Sequence, residues 1–480
     1  MRTRVKKICT IGPACRDPAI LEKLLDRGMD IARLNFSHGT HETHGQDIRA
    51  LKALRARRGV NLGILMDLSG PKIRLGEVRG EPVTVSDGQE IRLFPGTESR
   101  PGVSGAFPVV YPHLSADGRP GKRILIDDGL VVLTVRASDA DGLVCVVEHG
   151  GPIRSRKGVN FPGQVLSATA PTEKDLDDLR FGLAAGADMA ALSFVQSADD
   201  IRALRSAMEN AGRIVPIIAK IERPTALERF DEILSEADAV MVARGDLGIE
   251  ADISRIPVYQ KQMIRACNLK GKPVITATQM LDSMIRNPTP TRAEATDVAN
   301  AVCDNTDAVM LSGETAIGAF PVESIAMMDE IVCRVEADPD LRRPWVERVP
   351  APGRESSEEA LAKSTVDISA AVGARYIVAP TRTGQTAGLV SNARPGVPVL
   401  AVTASEAIFH QMSLLWGVEA LLLPETESET TFLDTVERIE QALLKRRLVE
   451  PGEFVVVVGG MPPHRTGGTN VVKVHRIGSA

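Results

Sequence analysis

Lysine is scarce in this sequence. Of its 57 basic residues only 15 are Lys, and the other 42 are Arg. A general drift toward arginine explains the ratio, and we take it as the default interpretation. Each remaining Lys is nevertheless of interest, because a compact ammonium and a planar guanidinium are not interchangeable at a binding site.

Paired cysteines, a long apolar run and a strong charge of one sign are absent as well. The 62 acidic residues leave a net charge of −5, which argues against nucleic acid or an anionic membrane as the main partner. No apolar run reaches the roughly 18 residues that cross a bilayer, and Gly12 and Pro13 interrupt the apolar stretch after the basic N-terminus. The six Cys form no C-x-x-C pair. We therefore expect a cytoplasmic protein with reduced thiols and with neither a nucleic-acid nor a membrane partner.

Eight short apolar runs predict the strands of a closed α/β barrel. They lie at 7–11, 31–35, 62–67, 189–192, 215–220, 239–243, 273–277 and 308–311. Amphipathic segments of helix length separate most of them, and eight such strand–helix units favour a (β/α)8 barrel over an open sheet. The length of 480 residues leaves room for further domains.

Two other regions have a different pattern. Between the third and fourth strands lie short strand-like segments, at 83–85, 90–93, 122–126, 131–135 and 143–148. Asp-Gly turns alternate with these segments. They predict a small all-β domain at the end of the barrel where active sites lie, so we interpret it as a lid. Beyond a polar, Pro-containing stretch, helices and strands alternate again from about 355, which predicts a C-terminal α/β domain. The predicted boundaries are 1–70 and 169–345 for the barrel, 71–168 for the lid and 346–480 for the C-terminal domain.

Reactive side chains follow seven of the eight predicted strands. They are Thr10, the segment 33–38, the segment 67–74, Lys220 with Glu222, Arg244 with Asp246, Thr278, and Ser312 with Glu314. A barrel brings the C-terminal ends of its strands into one ring, so we expect these side chains to converge.

The residue types in this ring indicate phosphoryl transfer. Lys220 and Glu222 lie on the same side of an extended segment, either as a simple salt bridge or as an electrophile beside a metal ligand. Glu222 and Asp246 offer the hard oxygen ligands that Mg²⁺ or Mn²⁺ prefers. Arg33 and Arg74 are planar donors suited to phosphoryl oxygens. A divalent metal, two Arg and a Lys are sufficient for electrostatic catalysis of phosphoryl transfer.

Three further features have weaker signals. The segment 244–248 reads as a flexible turn whose N–H groups could hold a carboxylate or phosphate at a helix start. His38, His41 and His44 lack the spacing of a helical zinc motif, so we expect solvated or capping histidines. The loop 381–386 follows a strand and opens a helix, and either cradles a phosphate or is an ordinary helix start.

Long stretches of the sequence resemble the pyruvate kinase family. The matching stretches are 7–13, 28–39, 127–129, 157–160, 218–222, 241–248, 277–281, 290–294 and 310–315. They cover the chain in the family's order of barrel, lid and C-terminal domain. The resemblance implies transfer of a phosphoryl group between phosphoenolpyruvate and ADP, giving pyruvate and ATP, by a homotetramer.

The resemblance also implies a role for each matching residue. Mg²⁺ would be bound by Glu222 and Asp246. The catalytic residues would be Arg33, Lys220, Thr278, Ser312 and Glu314. The substrate would be held by Arg33, Lys220, Gly245, Asp246 and Thr278. The nucleotide would face Asn35, His38, Arg74 and Lys157. A phosphorylated effector, a sugar phosphate or AMP, would be held by Thr381, Thr383, Gly384 and Thr386, near the Gly-rich stretch 465–470.

The sequence departs from the family pattern in two places. Many members hold K⁺ with the residues that match Asn35, Ser37, Asp67 and Leu68, and carry Thr-Lys-Gly-Pro-Glu after the Asp. Here the stretch is Leu-Ser-Gly-Pro-Lys, ending at Lys72. Because an ammonium can take roughly the place of K⁺, we expect Lys72 to fill this pocket and the enzyme to need no K⁺; the alternative is that Lys72 points to solvent.

The second departure is Thr43, where many relatives have a Tyr near the nucleotide, and it leaves the nucleotide preference open.

Two other interpretations of the whole chain remain. One is a different barrel enzyme of phosphoenolpyruvate or ketoacid chemistry, such as a mutase or lyase, which would lack the inserted lid. The other is a catalytically silent, metabolite-sensing homologue.

Overall fold

The fold consists of a closed barrel, an inserted β domain and a C-terminal α/β domain. The computed structural model describes residues 3–100, 105–164, 166–338, 340–341, 356–424, 431–461 and 468–478. It contains eight parallel strands that close on themselves, a six-stranded sheet inserted after the third of them, and a five-stranded sheet near the C-terminus. The predicted fold class is therefore confirmed. The predicted boundary between 345 and 346 lies outside the described residues, and the domain boundaries stay predictions.

The first part of the barrel has three strands and two helices. They are β1 (Lys6–Thr10), α1 (Pro18–Asp26), β2 (Ile31–Asn35), α2 (His41–Arg58) and β3 (Gly63–Leu68). Nearly every strand residue is buried, because helices cover the outer face of the barrel and side chains fill its interior. Helix α2 begins with a capping box in which the side chains of Thr40 and Thr43 each accept the other's backbone N–H. Thr43 therefore has a structural role at this helix start.

The inserted domain is built almost entirely of strands. Its elements are β4 (Val83–Val85), β5 (Glu90–Pro95), β6 (Ala106–Val109), α3 (Leu114–Asp117), β7 (Arg123–Ile126), β8 (Val131–Asp139), β9 (Gly142–His149), β10 (Gly151–Ile153) and β11 (Val159–Asn160). The main sheet has the order β11-β7-β8-β9-β5-β6, and β10 pairs with β4. The sequence predicts five of these eight strands. The other three are short, and two of them contain Pro, which weakens a strand signal.

The second part of the barrel supplies the other five strands. Its elements are α4 (Glu173–Ala185), β12 (Met189–Leu192), α5 (Ala198–Asn210), β13 (Ile217–Ile221), α6 (Pro224–Glu228), α7 (Phe230–Glu236), β14 (Ala239–Ala243), α8 (Arg244–Glu250), α9 (Ile256–Leu269), β15 (Val274–Ala277), α10 (Arg292–Cys303), β16 (Ala308–Leu311), α11 (Gly313–Ala316) and α12 (Pro321–Ala337). Strand β16 pairs with β1 and closes the barrel. None of the described helices is both long and apolar enough to cross a bilayer.

One local prediction in this part is confirmed only in part. The segment 244–248, expected as a flexible turn at a helix start, is itself the first part of helix α8. Its two glycines have low helix propensity and hide the helix in the sequence. The helix forms because tertiary packing buries Leu247 and Glu250.

The C-terminal domain is a sheet with helices around it. Its elements are α13 (Ser357–Ala371), β17 (Tyr376–Pro380), α14 (Gln385–Asn392), β18 (Val399–Thr403), α15 (Glu406–Gln411), β19 (Val418–Leu422), α16 (Phe432–Lys445), β20 (Phe454–Gly459) and β21 (Val471–Arg476). The strand order is β19-β18-β17-β20-β21, with β21 antiparallel. The chain therefore reverses its direction of winding beside β17, the position where open α/β sheets bind ligands.

The C-terminal domain contacts the end of the barrel opposite the lid. Arg394 Nη1 donates to Asp307 Oδ1 at 2.7 Å, and both side chains are buried. Lys6 Nζ donates to the carbonyl oxygen of Val418 at 2.8 Å. At the same end, Glu336 of α12 accepts the backbone N–H groups of Arg4 and Val5 at 2.8 and 2.7 Å. Burial raises the pKa of Glu336 from 4.5 to about 7.

The raised pKa of Glu336 predicts that the contribution of this residue to the free energy of unfolding falls between pH 5 and pH 8. The folded protein binds this proton more tightly than the unfolded chain. The free energy of unfolding therefore decreases as the pH rises from the unfolded pKa of Glu336 to its folded pKa, and it changes little above that value. Glu336→Gln keeps an acceptor and removes the titration. Relative to the wild type, its free energy of unfolding should therefore rise by about 2 kcal/mol from pH 5 to pH 8.

Urea denaturation at the two pH values measures this difference. Glu330→Gln is the matched control, because Glu330 lies on the same helix and its side chain is 61% exposed. An identical pH dependence for Glu336→Gln and the wild type would contradict the prediction.

Candidate active site

The C-terminal ends of the barrel strands form a ring of polar side chains beneath the inserted domain. The ring contains Thr10, Arg33, Asn35, Asp67, Ser193, Lys220, Glu222, Gly245, Asp246, Thr278, Ser312 and Glu314. The expected convergence of the reactive residues is thus found in the fold. Ser193 is an addition, because the sequence analysis assigned no reactive residue to the fourth strand.

Asp67 is the central anion of the ring. Its side chain is 1% exposed, and its two oxygens face two cations: Arg33 Nε donates to Oδ2 at 2.6 Å and Lys220 Nζ lies 3.2 Å from Oδ1. Burial by itself would raise the pKa of Asp67, but Lys220 and Arg33 outweigh it, so the pKa lies below its usual value. Thr10 Oγ1 accepts Nη1 of Arg33 at 2.9 Å and helps to fix the guanidinium.

Lys220 is held as an ammonium by three oxygen atoms. Besides Asp67, it contacts Glu222 Oε1 at 3.0 Å and donates to Ser193 Oγ at 2.6 Å. Burial would lower the pKa of Lys220, and the carboxylates of Asp67 and Glu222 reverse that effect and raise it. Lys220 therefore carries a buried positive charge that can face a transferring phosphoryl group.

Ser193 and Phe194 are the site residues that the sequence analysis missed. They directly follow strand β12, so the rule that found the other ring residues also applies to Ser193. Phe194 has φ = 57°, a left-handed conformation that is rare for a bulky residue. This conformation directs its backbone N–H to Glu222 Oε2 at 2.7 Å. The strain at Phe194 thus serves to hold a carboxylate of the site.

Lys72 contacts a carboxylate with which the sequence analysis did not pair it. Its Nζ contacts Asp246 Oδ1 at 3.2 Å, and the two side chains are 29% and 25% exposed. Lys72 was expected among Asn35, Ser37, Asp67 and Leu68, but the oxygens of Asp67 already face Arg33 and Lys220. Asn35 Oδ1 accepts the N–H of Ser37 at 3.1 Å, and Leu68 is buried. The idea that Lys72 replaces a monovalent cation therefore stays a prediction.

Glu222 and Asp246 fit a divalent cation that also binds substrate oxygens. In the structure each is paired with an ammonium, Lys220 and Lys72 respectively, so both carboxylates lie where a cation is favourable. Burial raises the pKa of Glu222, Lys220 opposes this, and the charge of Asp246 adds to it. Among the described residues no group of three or more His, Cys, Asp or Glu could hold a metal. Two carboxylates suit Mg²⁺, which usually keeps waters and substrate phosphate oxygens as its other ligands.

Thr278 and Gly245 contact each other in the structure. The N–H of Gly245 donates to Thr278 Oγ1 at 2.7 Å, and this hydroxyl donates to the carbonyl oxygen of Ala277 at 2.6 Å. Thr278 has φ = 69°, and Arg244 supports it by donating to its carbonyl oxygen at 2.8 Å. The N–H of Gly245, at the start of α8, could therefore bind a substrate carboxylate only after its hydrogen bond to Thr278 Oγ1 is broken.

Ser312 and Glu314 follow the strand next to that of Thr278, and Glu314 is buried. The two oxygens of Glu314 accept the backbone N–H groups of Leu281 and Ser312 at 3.1 and 2.7 Å. Burial raises the pKa of Glu314. A carboxyl group with a raised pKa is suited to exchange protons with a neighbouring hydroxyl chain.

The residues expected at the nucleotide lie between the lid and the barrel. Lys157 Nζ contacts Asp127 Oδ1 at 3.0 Å within the lid, and Arg74 Nη1 donates to the carbonyl oxygen of Arg156 at 3.1 Å. Burial lowers the pKa of His38, and the charges of Arg74, Lys72 and Arg33 lower it further. Arg74, Lys72 and Arg33 therefore lie near enough to His38 for their charges to act on it.

The other two histidines of this segment have structural contacts. His41 Nε2 bonds to Asp178 at 2.8 Å, and His44 Nε2 bonds to the carbonyl oxygen of His38 at 2.8 Å. His44 is 5% exposed, so the expectation of a solvated histidine is wrong for it. In the first turn of α2, His44 stacks on Phe36 and His41 stacks on Phe181.

The loop after β17 has the layout of a helix N-terminus. The N–H of Gly384 donates to Thr381 Oγ1 at 2.9 Å, Gln385 N donates to Thr383 Oγ1 at 3.5 Å, and Gly384 has φ = 88°. Thr386 Oγ1 bonds to Thr469 Oγ1 at 2.9 Å, which joins the loop to the Gly-rich stretch 465–470. Residues 465–467 of that stretch lie outside the described residues.

Comparison with known proteins identifies the family. Residues 2–325 match the model for the pyruvate kinase barrel domain, and residues 359–475 match the model for the pyruvate kinase alpha/beta domain. The chain belongs to the pyruvate kinase family. It is 44% identical over 476 residues to the pyruvate kinase of Agrobacterium vitis, covering 99% of this chain and 98% of the relative. It is 39% identical over 478 residues to that of Mycobacterium tuberculosis, covering 100% and 99%.

A solved structure agrees with this assignment. The crystal structure of a pyruvate kinase from Cryptosporidium parvum matches with a TM-score of 0.90 at 36% identity, and the match covers 99% of this chain and 96% of the other. The protein is therefore a phosphotransferase of the pyruvate kinase family, whose members act on phosphoenolpyruvate and ADP or ATP. The mutase or lyase reading is thereby excluded, and no observation favours a catalytically silent homologue.

The buried charges around Asp67 predict a large effect of its neutral isostere. Asp67→Asn leaves Arg33 and Lys220 with one carboxylate fewer. We expect kcat to fall by about a hundredfold, because Arg33 and Lys220 lose the anion that positions them and small misplacements of catalytic groups have effects of that size. Steady-state assay of pyruvate formation measures the loss.

Asp188→Asn is the matched control for this variant. Asp188 is equally buried, and it accepts Arg55 Nη1 at 2.6 Å, but it lies at the opposite end of the barrel. This control should lower the melting temperature and leave kcat within about threefold at temperatures where it is folded. A similar kcat for the two variants would contradict the role of Asp67.

Proposed function

We propose that this protein transfers the phosphoryl group of phosphoenolpyruvate to ADP with Mg²⁺, in the cytoplasm, and that it needs no K⁺. The observation that carries the proposal is the buried Lys220 ammonium between Asp67 and Glu222, with Asp246 beside it, at the barrel mouth below a lid. This arrangement combines a fixed cation for the transferring group with two carboxylates for a metal.

In the proposed reaction a β-phosphate oxygen of ADP forms a bond to phosphorus while the bond from phosphorus to the enol oxygen breaks. Lys220 and Arg33 face the transferring group and stabilise the charge on its oxygens. Both are held by Asp67, so they need little reorganisation when the substrate binds. A bound Mg²⁺ would be held by Glu222 and Asp246 and would neutralise phosphoryl oxygens and orient the substrate.

The enolate then takes up a proton at its methylene carbon and becomes pyruvate. We assign this delivery to Thr278 with Ser312 and Glu314. The Thr278 hydroxyl lies 2.7 Å from the N–H of Gly245, where the proposal places the substrate carboxylate. Substrate binding there would free the hydroxyl to face the reacting carbon. Glu314, which is buried and has a raised pKa, is suited to replace the proton.

The lid would supply the contacts to the nucleotide phosphates. Arg74 and Lys157 extend from it, and Asn35 and His38 face it from the barrel. Thr43 belongs to the capping box of α2 and offers no aromatic ring to a base. We therefore expect weak discrimination between ADP and GDP.

The C-terminal domain is proposed to bind a phosphorylated effector. Thr381, Thr383, Gly384 and Thr386 present hydroxyl and N–H groups at the start of α14, beside the position where the sheet reverses its winding. Fructose 1,6-bisphosphate, ribose 5-phosphate and AMP are the ligands to compare. A homotetramer is the proposed assembly.

Turnover of the pure protein tests the proposed function. The protein should form pyruvate from phosphoenolpyruvate when ADP and Mg²⁺ are present. Coupling to lactate dehydrogenase measures the pyruvate. Lys220→Met should reduce kcat by about a thousandfold, because a preorganised charge at the transferring group is lost. Lys261→Met is the control, since Lys261 pairs with Asp304 on the outside of the barrel. Binding of phosphoenolpyruvate without turnover would instead indicate the metabolite-sensing alternative.

Variants of Lys72 test the independence from K⁺. The wild type should be about equally active in potassium and tetramethylammonium salts. Lys72→Glu removes the ammonium and should become dependent on K⁺. Lys72→Arg should be impaired in both salts, because a planar guanidinium does not match a compact cation. A large loss of wild-type activity in tetramethylammonium salt would refute the idea.

A further inference from the structure

At the base of the lid, the chain that enters from the barrel pairs with a segment of the lid. The incoming segment 72–75 and the lid segment 157–160 run side by side. Leu75 N donates to the carbonyl oxygen of Lys157 at 2.8 Å, and Val159 N donates to that of Ile73 at 3.0 Å. We call this pair of strands the hinge; after it the chain continues in the lid, where Ser167 bonds to Asp117 and Ala168 to Tyr111, before it returns to the barrel.

Both hinge strands are tied to the same helix of the barrel. Lys72 of the incoming strand contacts Asp246, and Asn160 of the lid strand donates from Nδ2 to Glu250 Oε1 at 2.9 Å. Asp246 and Glu250 are four residues apart on α8, so they lie one turn apart on one face. The helix that carries a proposed metal ligand thus also holds the hinge.

The two contacts differ in burial. The Lys72–Asp246 pair is partly exposed, and such ion pairs exchange at little cost. Asn160 and Glu250 are each 6% exposed, and a buried hydrogen bond to a carboxylate is expensive to break. The first contact can be released when another cation binds Asp246, whereas the second can persist.

The buried contact is also connected to the other proposed metal ligand. The Arg223 guanidinium offsets the charge of Glu250 and lies 5.1 Å from the ring centre of Phe194. Lys72 Nζ lies 5.9 Å from the same ring. The backbone N–H of Phe194 donates to Glu222. Phe194 therefore packs against both connections between the hinge and the metal-binding carboxylates.

We propose that Asn160 and Glu250 are positioning residues that form the fixed pivot of the lid, while Lys72 and Asp246 form its releasable contact. The inference rests on the proposed function, because that function assigns nucleotide contacts to the lid and proton delivery to the barrel. Neither pivot residue touches a reactant. The pivot acts by keeping Lys157, three residues before Asn160, at a fixed distance from the Lys220 site. It serves the transfer to ADP and has no part in the proton step at Thr278.

Exchanging the amide and the carboxylate between positions 160 and 250 tests the pivot. Asn160→Asp faces Glu250 with a second carboxylate and should lower kcat/KM for ADP by about a hundredfold, because small misplacements of reacting groups have effects of that size. The double variant Asn160→Asp with Glu250→Gln restores the hydrogen bond with donor and acceptor exchanged and keeps one negative charge beside Arg223. It should recover activity to within about fivefold of the wild type.

Gln164→Ala is the matched control. Gln164 is a buried amide of the lid, and among the described residues its side chain bonds only to lid backbone, accepting from Arg119 N at 3.1 Å and donating to the carbonyl oxygen of Arg123 at 3.2 Å. Its loss should leave kcat/KM within about threefold. An equal loss in Gln164→Ala and Asn160→Asp, or a swap that recovers nothing, would overturn the pivot.

Two readouts separate positioning from a general loss of structure. Solvent deuterium exchange into the methyl group of pyruvate, with Mg²⁺ present, uses only barrel groups and should stay within about twofold in Asn160→Asp. Backbone hydrogen exchange of 157–161 in the metal-free protein should speed up at least about tenfold in Asn160→Asp and return in the swap. Loss of methyl exchange together with transfer would overturn the proposal. A wild type with neither reaction would instead refute the proposed function.

Discussion

The buried carboxylate of Asp67 is the interaction on which the rest of this site depends. It lies between the guanidinium of Arg33 and the ammonium of Lys220, with almost no exposure to solvent. Without it the two cations would repel each other, so that the pKa of Lys220 would fall or the two side chains would move apart. Because Asp67 is on β3, Arg33 on β2 and Lys220 on β13, the barrel must close before the charges can balance. The active site is therefore a product of the closed barrel.

The barrel also decides what the lid can do. Helix α8 carries Gly245 and Asp246 at its first turn and Glu250 at its last residue, so one short element carries the proposed substrate and metal contacts and also contacts the hinge. A short helix with two glycines has little stability of its own. Packing of Leu247 into the barrel core supplies the rigidity. Displacement of the lid is thereby coupled to the same element that holds the proposed metal.

Sequence reasoning worked where chemistry and strand ends coincide, and it failed where contacts are made by the backbone. Arg33, Asp67, Lys220, Glu222 and Thr278 follow apolar runs, and a barrel places such residues in one ring. Phe194 could not be found this way, because it contacts the site through its backbone N–H, which a left-handed conformation of the residue directs to Glu222. The partner of Lys72 was also not predictable, since a long flexible side chain at a hinge takes whichever carboxylate the fold brings near.

The sequence by itself determined the fold class, the family and the residue types of the phosphoryl-transfer site. Apolar periodicity fixes which segments become buried strands, and the ring of strand ends follows from their number. Only the tertiary structure decided which charges pair, that 244–250 is a helix, and that Asn160 meets Glu250. These contacts join residues that are far apart in the chain. Their energies arise from burial and close approach, which exist only after the barrel has closed around them.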